Sequence, residues 1–345
     1  GHVTGGPAYY IEAALHSRPL AVLFALSLIA TYAGGFNMLC SFNLQSTFSG
    51  YSFYNESVTP WIIGGIAALL TAFCVMGGGK RIIAVASTLV PFMGGLYVLV
   101  AIIVVVLNLE LLPQVFGRIF QGAFDFQAIF AGFTGSALMQ GIKRGLFSNE
   151  AGVGSAPNAA ASANVSHPVK QGLVQMLSVF LDTLLICSAT ALMLLCSGVE
   201  PTEAAQGAPY VQAALSAVFG SVGPIFITVA MVLFAFTTLI GNLYYVDNAL
   251  AYLMKKVPSK QFMVVFRIVA VLLIFVGAGL SIDLVWNLAD VLMGIMVMIN
   301  IPVIFILARP ALAALKDYTA QRKTGRNPVF KAASIDLKEK TDYWN

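Results

Sequence analysis

Residues 126–152 of the chain read FQAIFAGFTGSALMQGIKRGLFSNEAG, an apolar stretch that Thr134, Gly135 and Ser136 interrupt at its centre. A continuous membrane helix satisfies all of its own backbone groups, so a glycine between two hydroxyl residues at membrane depth predicts a break that lines a polar cavity. Secondary transporters commonly build substrate sites from such broken helices. A kink at a small-residue packing contact is the alternative interpretation.

The two halves of such a broken helix present opposite partial charges to the cavity. The half that starts at Ser136 presents unpaired N–H groups, which suit a carboxylate. The half that ends near Ala131 presents free carbonyls, which suit an ammonium group or a cation, so an amino-acid zwitterion satisfies both halves. Gln140 lies one turn beyond Ser136 on the same face and extends the polar stripe.

The composition of the whole chain is that of an all-α polytopic membrane protein. Of its 345 residues, 59% are hydrophobic and 10% are charged. We predict one transmembrane domain, residues 1–310, and a basic tail, residues 311–345. Short helices are predicted in residues 1–17, 109–124 and 199–222 and at the start of the tail, which we expect to fray beyond its helix. Eight membrane spans are predicted, at residues 19–48, 58–76, 82–107, 126–146, 171–197, 223–250, 262–280 and 284–308.

The basic residues predict an orientation, because lysine and arginine accumulate in cytoplasmic loops. With the first end inside, eighteen of the nineteen Lys and Arg residues are cytoplasmic, Arg144 among them, and only Arg118 is outside. We therefore expect both ends of the chain in the cytoplasm and the tail near anionic lipid. The pattern predicts no nucleic-acid partner and no obligate protein partner.

Thr237 and Thr238 lie in the sixth span, about 20 Å from its outer end at 1.5 Å per residue. Two hydroxyls at that depth can supply the hard oxygen ligands that an alkali cation needs. Threonines in membrane helices more often bond their own backbone, which is the competing interpretation. Asn242 follows one turn below and extends the polar face.

Two carboxylates fall inside predicted spans. Asp182 lies near the middle of the fifth span, where a carboxylate costs about 2.5 to 3.5 kcal/mol on insertion scales. We expect it to face the interior with a partner, as a cation ligand, a proton carrier or a neutral packing acid. Asp290 lies beside Trp286, one to two turns into the last span, and is expected to reach an outer vestibule. In the first span Asn37 and Ser41 lie one turn apart and are candidates to line a pathway.

The run TGSALMQGIKRGLFSNEAGVGSAPNAAASANVSHPVKQGLVQMLSVFLDTLLICSATA, residues 134–191, closely resembles the alanine or glycine:cation symporter family, the sodium:alanine symporters. The segments GGPAYYI at residues 5–11, LFAFTTLIGN at 233–242 and VWNLADVLMG at 285–294 are similar to other landmarks of that family. The resemblance covers essentially the whole chain.

The resemblance implies a LeuT-type fold of two inverted five-helix repeats, with the eight spans as core helices three to ten. It also implies a symporter in the plasma membrane, the inner membrane of a prokaryote. Such a protein couples sodium or proton influx to uptake of small neutral amino acids such as alanine or glycine. The family's first two core helices are absent from the chain, so we expect a form truncated on its N-terminal side and incompetent for transport as it stands.

The resemblance also assigns residues to the two ligands. The co-transported sodium ion is assigned to Thr237, Thr238 and Asp182. The amino acid is assigned to the unwound sixth core helix, at Phe133, Thr134, Gly135 and Ser136, and to Trp286. Gln140 joins this set because of its place on the polar face beyond Ser136.

Two other functional classes stay open at this point. An uncoupled channel or facilitator for small polar solutes needs a continuous polar stripe along several helices, whereas the spans carry isolated polar clusters. An intramembrane enzyme that uses Asp182 and Asp290 as an acid pair needs the two carboxylates within a few Å of each other. The sequence contains no nucleotide-binding loop and no nucleophile elbow, so an ATP-driven pump or an intramembrane hydrolase is not expected.

Overall fold

The computed structural model describes residues 4–124, 137–202, 206–337 and 344, and this part of the chain is built from helices and their connections. Seven of the described helices are long and apolar enough to cross a membrane. The prediction of an all-α polytopic membrane protein is confirmed at this level. The first half of the fourth predicted span lies outside the described residues.

The helices are numbered in chain order, and α2 and α8 each include a π-helical segment. Their bounds are α1 Pro7–Leu15, α2 Arg18–Ser46, α3 Thr59–Met76, α4 Gly79–Leu107, α5 Leu112–Ala123, α6 Ala137–Asn149, α7 Ala156–Ala160, α8 Pro168–Cys196, α9 Ala208–Phe219, α10 Val222–Met254, α11 Lys260–Ala278, α12 Ile282–Ile306 and α13 Ala308–Lys323, with 3-10 turns at Leu109–Leu111 and Ala332–Ile335.

The seven long helices α2, α3, α4, α8, α10, α11 and α12 coincide with seven of the eight predicted spans to within four residues at each end. The agreement follows from bilayer thickness, because about 20 apolar residues are needed to cross the hydrocarbon core as a helix. The predicted short helices are also present, as α1, α5, α9 and α13.

The π-helical segments, Ala30–Gly35 in α2 and Leu181–Cys187 in α8, were not predicted. A π turn inserts an extra residue into the helix and re-aims the side chains around it, and such turns are frequent at functional sites. In α2 the segment ends where α12 comes close: a Cβ at Gly35 would lie 2.8 Å from Cδ1 of Leu292. A glycine therefore permits the approach of α12 at this point.

Helices α2 and α10 pack against each other along their length and form the centre of the molecule. Helices α3 and α11 pack together and against the C-terminal half of α2, and α12 packs on α2 as well. Helices α4 and α9 pack on α10, and the last part of α8 packs on α4. The largest apolar core lies between α1, α2, α10 and α12.

Polar groups join α2 to α10 at three depths. The Asn242 side-chain amide donates to the Asn37 Oδ1 at 2.8 Å, and both residues are buried. The Cys40 thiol lies 3.4 Å from the carbonyl of Ala235. Near the far end, Gln212 of α9 bridges the two helices: its amide donates to the carbonyl of Thr47 at the end of α2, at 2.8 Å, and to the Thr228 hydroxyl of α10, at 2.9 Å. These bonds fix the register of the two central helices.

The tail does not simply fray after α13. His167, which precedes α8, is fully buried, and its Nε2 lies 3.2 Å from an Asp317 carboxylate oxygen. The rings of Tyr318 and Phe330 pack edge-on against the imidazole, and the N–H of Phe330 donates to the carbonyl of Ser166 at 2.9 Å. The expectation of fraying is wrong for this stretch because Phe330 gives it an apolar anchor.

Gly277 offers a test of the packing between α11 and α2. A Cβ there would overlap the backbone and side chain of Met38, whereas a Cβ at Gly294 of α12 would meet no heavy atom within 4 Å. We expect Gly277→Ala to lower the free energy of unfolding by about 1–3 kcal/mol through overpacking. Thermal unfolding in detergent measures the change, with Gly294→Ala as the control that leaves stability unchanged or slightly raised. Equal stability of the two variants would contradict the close helix contact.

Candidate functional site

The four residues Phe133, Thr134, Gly135 and Ser136, where the sequence predicts the helix break, lie outside the described residues. The described part of α6 begins directly after them, at Ala137. Gln140 lies on the first turn of this part and is exposed. The assignment of these five residues to the amino acid therefore stays a prediction.

Trp286 belongs to a cluster that joins α6 to α12. The Arg144 guanidinium of α6 lies 4.4 Å above the Trp286 ring and donates through one nitrogen to both Asp290 carboxylate oxygens, at 2.8 and 2.6 Å. Phe147 packs on Trp286 with a centroid distance of 5.0 Å and stacks on Phe36 of α2 at 4.4 Å. The three helices α2, α6 and α12 thus meet at an ion pair that packs against aromatic rings.

The pairing corrects one expectation from the sequence. Arg144 was predicted at the cytoplasmic end and Asp290 towards the outer side, but an ion pair requires one common depth. One of the two placements is therefore wrong. The physical reason is that a carboxylate and a guanidinium inside a membrane protein are costly unless they are paired. The second terminal nitrogen of the guanidinium, Nη1, is buried without a hydrogen bond to the described residues, so it remains able to donate to a further acceptor.

Asp182 has the partner that its depth requires. The Ser148 hydroxyl of α6 donates to its carboxylate at 2.7 Å, and the Cys187 thiol lies 4.0 Å from the same oxygen. Asp182 sits in the π-helical segment of α8, where the altered turn directs it towards α6. Asp182 and Asp290 therefore contact α6 through different residues, one helical turn apart, and each carboxylate has a partner of its own.

Thr237 and Thr238 lie on α10, one turn before the Asn242 that bonds to α2. The buried Thr237 hydroxyl donates to the carbonyls of Leu233 and Phe234, both at 3.0 Å, so its bond is to its own helix. No hydrogen bond within the described ranges joins Asp182 to either threonine. The predicted pathway residue Ser41 is buried, and its hydroxyl has no hydrogen-bond partner in that part of the chain.

Residues 150–160, which we call the connecting segment, pack closely against the helices around them. Asn300 of α12 donates to the carbonyl of Gly152 at 2.9 Å, and Asn248 of α10 donates to the carbonyl of Asn158 at 3.0 Å. A Cβ at Gly154 would lie 2.8 Å from Phe24 and 2.9 Å from Pro7. The sequence signal for this packing is the run of Gly, Ala, Ser and Asn itself.

Comparison with known proteins identifies relatives that match nearly the whole length of this chain. The model of the sodium:alanine symporter family matches residues 1–332. The probable sodium/glutamine symporter GlnT of Bacillus subtilis is 42% identical over 94% of this chain and 67% of its own length. The sodium/proton-dependent alanine carrier protein of Bacillus sp. (strain PS3) is 39% identical over 87% of this chain and 71% of its own. The sodium/alanine symporter AgcS of Methanococcus maripaludis is 35% identical over 94% of this chain and 71% of its own.

The coupling between Arg144 and Asp290 can be measured by a double-mutant cycle. We expect Arg144→Gln and Asp290→Asn each to cost about 1–3 kcal/mol of stability, because each leaves a partly buried charge without its partner. The double variant should cost less than the sum, with a coupling of about 0.5–3 kcal/mol. Thermal unfolding in detergent provides the values.

The matched control is the exposed pair Arg118 and Glu200, 3.2 Å apart with side chains 54% and 70% exposed. Its cycle, with Arg118→Gln and Glu200→Gln, should give a coupling of at most about 1 kcal/mol. Additive costs at Arg144 and Asp290 would show that their contact does not join α6 to α12.

Proposed function

The chain belongs to the sodium:alanine symporter family, and on that premise we propose that it couples sodium influx to uptake of a small neutral amino acid such as alanine or glycine. The protein is a transporter and not an enzyme, so the interpretation of Asp182 and Asp290 as a catalytic acid pair is wrong. The observation that carries the proposal is the family match over residues 1–332. The named relatives are carriers and symporters, which gives the uncoupled channel or facilitator no support.

The amino acid is proposed to bind at Phe133, Thr134, Gly135, Ser136, Gln140 and Trp286. Two observations favour a small side chain: two of the three relatives above are named for alanine, and the bulky rings of Phe36, Phe147 and Trp286 pack together beside the Arg144 guanidinium. The buried Nη1 of Arg144 lacks a partner among the described residues. It is suited to donate to a carboxylate oxygen of the amino acid. One relative is named for glutamine, which has a larger side chain, so the size of the accepted side chain has to be tested.

Sodium is proposed to bind at Thr237 and Thr238, with Asp182 as a further candidate ligand. The Thr237 hydroxyl hydrogen is committed to carbonyls of α10, so the oxygen lone pairs point away from those bonds and are available to a cation. Hydroxyl oxygens are suitable hard ligands for an alkali ion. Asp182 would supply the negative charge if a conformational step brings α8 to this position. A proton is the alternative coupling ion, because one relative is named as dependent on both.

We further propose the LeuT-type arrangement, with the protein in the inner membrane of a prokaryote and both chain ends in the cytoplasm. The distribution of basic residues supports this orientation. This orientation places the cytoplasmic end of the protein at α1, residues 156–160 and α13. The basic helix α13 then faces the anionic lipid of the inner leaflet.

Uptake into proteoliposomes tests the function. Labelled alanine should accumulate in vesicles that contain the protein reconstituted together with the family's first two core helices when sodium is higher outside, and the uptake should saturate. A sodium ionophore serves as the control that removes the gradient and leaves the protein unchanged. Excess unlabelled glycine should compete for uptake and excess glutamine should compete less. Uptake of no amino acid under either a sodium or a proton gradient would contradict the proposal.

Thr238→Ala tests the sodium site. Removing one oxygen ligand should raise the sodium concentration for half-maximal alanine uptake by about tenfold, which corresponds to about 1.4 kcal/mol. Uptake at saturating sodium should change less. Thr88→Ala is the matched control. Thr88 is an exposed threonine of the membrane helix α4, and its hydroxyl donates to the carbonyl of Ala84 at 3.1 Å. An unchanged sodium dependence in Thr238→Ala would exclude this residue as a ligand.

A further inference from the structure

Glu150 is the first residue of the connecting segment and the only one of it, residues 150–160, with an ionisable side chain. Its backbone is in the left-handed region, with a φ of 54°, and its N–H donates to the carbonyl of Leu146 at 3.2 Å. This turn ends α6 and directs the carboxyl inward. The residue as a whole is half-buried.

Two hydroxyl groups surround the Glu150 carboxyl. The Ser155 hydroxyl, which is fully buried, donates to one of its oxygens. The Tyr32 hydroxyl of the π-helical segment in α2 faces the carboxyl and Ser155, and it is buried without a hydrogen bond of ordinary geometry to the described residues. A hydroxyl can donate to an ionised carboxylate or accept from a protonated carboxyl. The surroundings can therefore accommodate both states.

The titratable groups that face Glu150 from the described elements carry no positive charge. They are Tyr32 on α2, Tyr245 on α10 and Asp182 on α8. The pKa of the Glu150 carboxyl is raised to about 7: burial is the largest cause, the nearby Asp182 carboxylate adds to the rise, and the hydroxyls of Ser155 and Tyr32 oppose it. A carboxyl in these surroundings changes its charge close to neutral pH.

We propose that the Glu150 carboxyl is a proton-binding site between α2, α8 and α10, and that its proton holds the connecting segment packed against α2, α10 and α12. The ionised form places a second negative charge in a region that already contains Asp182, whereas the protonated form is neutral and adds a donor for a neighbouring hydroxyl. Loss of the proton therefore favours release of the connecting segment from the helices.

The direction of the pH effect follows from linkage. The pKa of Glu150 is raised above its ordinary value in the packed form, so the packed form binds the proton more tightly than the released form. The packing is fully favoured below the ordinary glutamate pKa of about 4.3. The packing weakens as the pH rises from about 4.3 through the raised pKa of Glu150. Above that pKa it changes little with pH.

Infrared difference spectroscopy of the reconstituted protein tests the site without any need for transport. The C=O stretching band of a protonated carboxyl should disappear as the pH rises, with a midpoint near 7, and should be absent in Glu150→Gln. Ser155→Ala keeps the carboxyl and removes a donor to its ionised form, so the midpoint should move to higher pH. Glu12→Gln is the matched control, since the Glu12 carboxylate also accepts a hydroxyl bond, from Tyr252, and the band should persist in it.

The second readout is the pH dependence of alanine uptake, and this readout alone rests on the proposed function. Glu150→Gln should flatten the dependence across the pH range around neutrality, whereas Glu12→Gln should keep it. A band that does not titrate in this range, or that survives in Glu150→Gln, would overturn the proton site even if uptake is normal. A titrating band in a protein that transports nothing would keep the site and reject the proposed function.

Discussion

The packing of α2 against α10 is the contact on which the rest of the molecule depends. Polar groups inside a membrane protein need partners, because no water is available at that depth to replace them. The Asn242 amide and the Asn37 Oδ1 meet this requirement in one bond of 2.8 Å, which forms only in one register of the two helices, whereas the Asn37 Nδ2 has no partner among the described residues. The apolar cores on both sides of this contact use residues of α10, so displacement of the pair would disturb all of them.

The candidate site is attached to this centre through α6 and α12. The Arg144 and Asp290 pair joins these two helices, and the ring of Phe147 stacks on Phe36 of α2. Asp182 contacts the next turn of α6 through Ser148. Movement of α6 would therefore alter an ion pair, an aromatic stack and the hydrogen bond of the Asp182 carboxylate together. Because these contacts form or break together, α6 is suited to switch between two discrete positions rather than to shift gradually.

The sequence predicted the long helices closely because hydrophobic length is a direct consequence of bilayer thickness. It also predicted that Asp182 would have a partner, because an unpaired carboxylate at that depth is costly. It did not identify Ser148 as that partner, and it placed Arg144 and Asp290 at different depths. Side-chain pairs between helices depend on helix rotation and depth, which hydropathy does not determine. The π-helical segments carry no distinctive residue pattern in ATYAGG or LDTLLIC, so periodicity could not reveal them.

Equilibrium binding tests the central claim most directly, because coupled symport requires that the two ligands favour each other's binding. Sodium affinity of the purified protein should be measured with and without alanine, and alanine affinity with and without sodium. Linkage requires the two factors to be equal, and a coupling of about 1–3 kcal/mol corresponds to a factor of about 5 to 150. The account predicts such a factor in both directions. Alanine binding that ignores sodium at every concentration would contradict it.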